Sequence, residues 1–136
     1  MLDINYLITS LGIEQNVMIV DIQDQEKLLS FIHASDVCIH LDYPTTGGAS
    51  LSLMQMLALG KPCILSDINE YKEIPLSVAF RVPPDVDEIG DIFNILMQVC
   101  TNPKSIQSLS SCAKAFAGKH TWNLMASELS NFINRI

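Results

Sequence analysis

Apolar residues fall at helical intervals in residues 2–11, where Leu2, Tyr6, Leu7 and Leu11 share a face and Gly12 follows as a stop. A short amphipathic helix should open the chain. The period then changes: NVMIVDI (16–22) is a β-branched run, and DQEKLLSFIHAS (24–35) begins on an N-cap Asp24 and sets Leu28, Leu29 and Ile32 on one side. A strand and a helix are expected there. DVCIHL (36–41), KPCILSD (61–67) and SVAFRV (77–82) predict three more strands, YKEI a helical turn, and PPDVDEIGDIFNILMQVC (83–100) a capped helix with Val86, Ile89, Ile92, Phe93, Leu96 and Val99 inward. Beyond it the chain reads as helical, broken at Asn102-Pro103 and His120-Thr121. Its last helix, TWNLMASELSNFI, carries Trp122, Leu124, Met125, Leu129 and Phe132, more apolar surface than capping a small sheet requires.

Strands alternating with helices through short loops imply an α/β fold with a parallel sheet and right-handed crossovers. The expectation is a Rossmann-like three-layer αβα sandwich of about four to five strands. One domain over residues 1–136 accounts for the length, and no repeat or linker interrupts it. The composition, 49% hydrophobic and 17% charged, suits a sheet covered on both faces or a domain lacking a partner surface. It excludes disorder.

Charge narrows the ligands. With a net charge of −7 and eight Lys plus Arg, the chain has no basic cluster to grip nucleic acid or anionic lipid, so an anionic ligand must be held by local dipoles. Cys38, Cys63, Cys100 and Cys112 follow no CxxC spacing, and two of them sit inside apolar runs as small buried hydrophobes. A reducing, cytoplasmic setting is expected, with neither a disulfide framework nor a metal site. The N-terminus lacks the features of a signal peptide and no apolar run approaches a membrane span; peripheral contact of a parent protein with a membrane stays open.

The chemistry-bearing stretch is YPTTGGASLSLMQMLALGKPC (43–63). Ligands of an open parallel sheet bind beyond the carboxyl ends of its strands, where a helix start offers unpaired N–H groups and a favourable dipole to phosphate. Gly47 and Gly48 allow positive φ and close approach of an anion, Thr45, Thr46 and Ser50 add hydroxyls, and Ala49 completes the turn. The helix over 50–59 is apolar nearly all round and should be buried, except that Ser52 and Gln55 share a face that should look into a cleft. Gly60 and Pro62 end it. No Walker lysine follows, so a P-loop is excluded. A glycine turn that merely leads into a core helix, with no ligand, fits the same spacing.

These residues also carry a resemblance. LDYPTTGGASLSLMQMLALGKPCILSDINEYKEIP resembles the sugar-nucleotide-binding segment of the group 1 (family 4) glycosyltransferases of GT-B fold, and LGIEQNVMIVDIQDQEKLLSFIHASDVCIHL and FRVPPDVDEIGDIF are similar to its flanking segments in order. The resemblance implies a C-terminal donor-binding domain that takes a UDP-, GDP- or ADP-sugar without a cofactor or metal. It further implies an N-terminal acceptor domain that this chain lacks, with an acceptor left unspecified, and an isolated chain without activity of its own. It places the donor diphosphate on residues 45–50, ribose and base at Gln55, Asp21 and Ile22, and a donor contact at Glu73. A helix-start carboxylate is the other role open to Glu73.

The departures bear on activity. The family has one glutamate in the glycine turn and a second on the helix, where this chain has Gly47, Gly48 and Gln55, and no catalytic residue is assigned. Asp42 places a negative charge near the phosphate site, to be offset by Lys61 or Lys72. His40 alone among the histidines is expected near the cleft, without a carboxylate or nucleophile partner. Three functions follow: the donor half of a retaining hexosyltransferase, a degenerate non-catalytic donor domain serving as a binding or interaction module, and a receiver-like domain with Asp21, Asp42 and Asp67 clustered. The ordered resemblance argues against the last.

Overall fold

A computed structural model describes residues 3–45, 47–48, 50–84 and 87–135. Leu2, Thr46, Ala49 and Val86, named above, lie outside these. Helix α1 spans Ile4–Leu11, α2 Gln25–Ala34, α3 Leu51–Ala58, α4 Glu88–Thr101, α5 Pro103–Gly118 and α6 Trp122–Ile133, with strands β1 Cys38–His40, β2 Cys63–Ser66 and β3 Phe80–Val82. A 3-10 turn covers Asn69–Tyr71. Short polar side chains start the helices by accepting from free backbone N–H groups: Asp24 Oδ1 takes Glu26 N at 2.9 Å, and Ser50 Oγ takes Leu53 N at 3.3 Å.

The strands run parallel in the order β1-β2-β3, with Cys38 opposite Cys63 and Ile64 opposite Phe80. All four residues of β2 are buried, as the central strand of a sheet covered on both faces must be. On one face α3 packs on α5, and Leu53, Leu57, Cys63, Leu65, Ala113 and Ala117 form the centre of the core. Helix α4 packs on β3 and on α5. The result is a mixed α/β, Rossmann-like fold. Cys38 and Cys63 behave as buried hydrophobes, and their mutual hydrogen bond and burial keep the Cys63 thiol protonated.

Three expectations change. Residues 16–22 form no strand, and Met18 is 77% exposed. A β run is stable only against a hydrogen-bonded neighbour, and among the described residues β1 pairs with β2 alone, so the sheet has three strands rather than four to five. On α4, Val99 is buried but Ile89 and Phe93 point to solvent, because β3 and α5 cover only one side of that helix. Helix α3 buries Leu53 and Leu57 while Leu51, in its first turn, stays exposed. No helix among the described residues is long and apolar enough to cross a membrane.

Candidate functional site

Two cavities and the glycine turn meet at the first turn of α3. The chain leaves β1 at His40 and passes a cis Tyr43–Pro44 peptide before the glycine turn. Asp42 N donates to the buried Ser66 Oγ at 3.0 Å, which ties the exit of β1 to the end of β2. Gly47 and Gly48 adopt φ of 80° and 111°, and a Cβ on either would meet nothing within 4 Å. The glycines are therefore required by backbone conformation rather than by crowding, and the space above the turn is open. Gly47 N donates to Thr45 Oγ1 at 3.0 Å, so that one amide is already occupied within the turn.

Ser50 serves as the N-cap of α3, and its hydroxyl lies 3.1 Å from that of Ser52. Beside this cap is a cavity of about 350 Å³ lined by Ile22, Gln23, Asp24, Leu28, Ser52 and Gln55, among others. The fold thus brings together Ile22 and Gln55, which are far apart in sequence, and adds Ser52 on the face expected to look into a cleft. Asp21 is exposed and does not line this cavity. On the other side of the cap lies a second cavity, of about 460 Å³, lined in part by Ser50, Glu70, Tyr71 and Glu73. Glu73 follows the 3-10 turn, which ends at Tyr71, so it lines this cavity and heads no helix.

No protein-family model and no curated protein matches the chain. Among solved structures, sucrose-phosphate synthase from Thermosynechococcus elongatus aligns with 97% of it at a TM-score of 0.80 and 20% identity. The fold is that of a GT-B C-terminal domain. The chain spans 33% of that structure's length.

In this fold the glycine turn and both cavities sit at the carboxyl ends of the strands, where open parallel sheets bind their ligands. Sequence reasoning missed the groups that organise this end. Tyr71 is buried, and its hydroxyl donates to Asp42 Oδ2 at 3.1 Å while lying 3.1 Å from His40 Nε2. A phenol has one proton, so with that proton on the carboxylate it is His40 Nε2–H that donates to the oxygen. Burial first, then the hydrogen bond and charge of Asp42, push the Tyr71 hydroxyl up to about 12. His40 therefore has a carboxylate partner after all, through Tyr71. The signal in the sequence was a lone aromatic residue just after the third apolar run; its distance from Asp42 was not legible.

The charge balance differs too. Lys61 lies before β2, at the opposite end of the sheet, and its Nζ donates to the His33 carbonyl at 2.6 Å, so it does not offset Asp42. Tyr71 does that work instead, by hydrogen bonding. Asp67 pairs with Arg81 at 3.4 Å. Among the described residues no three His, Cys, Asp or Glu side chains are grouped to share a metal ion, so Asp21, Asp42 and Asp67 do not make a receiver-like cluster. His120, expected to lie outside the site, lines the second cavity.

Proposed function

We propose that the chain is the donor-binding half of a retaining glycosyltransferase that takes a nucleoside diphosphate sugar and passes a hexose to an acceptor. The observation that carries this reading is the cavity joining Ile22, Ser52 and Gln55 beside an open glycine turn at the start of α3. The apolar wall of Ile22 and Leu28 suits a base, and the amide of Gln55 suits ribose hydroxyls. The diphosphate would then lie over residues 45–50, against the helix dipole. Backbone N–H groups fixed there would stabilise the departing diphosphate as charge develops on it. The chain spans 33% of the matched glycosyltransferase-fold structure, which supports a larger parent protein with an N-terminal acceptor domain.

A second reading keeps the nucleotide and drops the catalysis. The turn offers Gly47 and Gly48, and α3 offers Gln55, where the resembled family has carboxylates, which favours a degenerate donor domain acting as a binding module. Calorimetric titration with UDP, GDP and ADP decides whether a nucleotide site exists: one of them should bind, and Gly48→Val, with circular dichroism unchanged, should abolish it, because a β-branched residue is strained at φ 111°. No binding by any of the three sinks the reading. Sugar-transfer assays on the chain joined to its upstream sequence separate the enzyme from the module.

A further inference from the structure

The cavity of about 460 Å³ is left over once base, ribose and diphosphate have been placed. It shares Leu51, in the first turn of α3, with the first cavity, so the two flank a single helix start. Its walls are apolar, from Leu53, Met54, Ile74 and Phe116, and Trp122 stands at its side 85% exposed. Its charged groups are two carboxylates, Glu70 and Glu73, and no Lys or Arg is among its lining residues. His120 Nδ1 sits 2.8 Å from the Phe116 carbonyl oxygen, which can only accept. The proton is therefore on Nδ1, and in the neutral ring Nε2 is left as an acceptor.

A wide aromatic plane, carboxylate acceptors and no cation suit one class of small molecule. A pyranose ring has an apolar face of C–H groups, which packs on an indole, and a rim of hydroxyls, which donate to carboxylates in charge-assisted hydrogen bonds. Nucleobase phosphates and uronic acids are disfavoured, because Glu70 and Glu73 would face a like charge. We propose that this cavity binds a neutral pyranose, stacked on Trp122, with its hydroxyls held by Glu70, Glu73 and His120. The proposal rests on the nucleotide-sugar reading only for how the sugar arrives there.

Trp122 is the sole tryptophan of the chain, so its emission reports on this cavity, while the nucleotide cavity has no tryptophan among its lining residues. The test titrates the full chain with methyl glucoside, N-acetylglucosamine and glucuronate by fluorescence, and separately with UDP, GDP and ADP by calorimetry. The neutral sugars should shift Trp122 emission saturably, with glucuronate at least about tenfold weaker. Glu73→Gln and Glu70→Gln, each with unchanged circular dichroism, should each weaken methyl glucoside about fivefold or more. No saturable response to either neutral sugar, or glucuronate binding as well as the glucoside, overturns the proposal. Silence of UDP, GDP and ADP alike in calorimetry, with the saccharide response intact, overturns the nucleotide reading and leaves this one standing.

Discussion

Leu57 and Cys63 are wholly enclosed between α3, β2 and α5, whereas Met18 and Trp122, in stretches just as apolar, give most of their surface to solvent. The two regions differ in partners rather than in composition. Around β2, each apolar side chain meets a neighbouring strand on either side and a helix above or below. Residues 17–19 and α6 meet no such frame among the described residues, so the same side chains remain open. Hydrophobicity drives burial only where another element supplies a surface of matching shape.

Mutations can break that comparison. Leu57→Ala should have the largest effect, a loss of about 2–5 kcal/mol in urea unfolding, because a fully buried leucine leaves a cavity in a packed core. If it costs no more than a surface change, the packing of α3 against β2 and α5 is not the core.

Tyr71→Phe should come next, at about 1–3 kcal/mol, by leaving His40 Nε2 and Asp42 Oδ2 without their shared partner. It also carries a pH signature. The Tyr71 hydroxyl titrates higher folded than unfolded, so its contribution is complete below about pH 10 and is lost as pH rises through about 12. Unfolding curves of the wild type should show this alkaline loss, and Tyr71→Phe should lack that component.

Ser50→Ala should cost about 1 kcal/mol by removing the N-cap of α3, with the decrement visible in the denaturation midpoint. It should also weaken binding of whichever of UDP, GDP or ADP the chain takes, since Ser50 is placed in the diphosphate site. The smallest effect is expected at Met18→Ser, within about 0.5 kcal/mol. A loss there approaching that of Leu57→Ala would mean that residues 17–19 are covered in solution, and would erase the contrast between the two regions.

Much of the local organisation was legible in the sequence. Asp24 and Gly60 mark helix ends because capping and left-handed backbone depend on the residue itself and its nearest neighbours. The glycine turn at 47–48 was legible for the same reason. Residues 16–22 were misread as a strand because β structure is completed by a neighbour that a local pattern does not contain. The inward face assigned to Ile89 and Phe93 failed likewise: periodicity finds an apolar stripe on α4 but does not say how much of it the sheet is wide enough to cover.

The site divides along the same line. Sequence by itself determined the αβ alternation, the helix starts and the glycine backbone above α3, all set by contacts within a few residues. Only the tertiary structure decided that Gln55 shares a cavity with Ile22, that Lys61 lies at the wrong end of the sheet to balance Asp42, and that Tyr71 links Asp42 to His40. Those are meetings of residues about thirty positions apart, fixed by parallel strand pairing and helix packing, and a linear pattern carries no term for them.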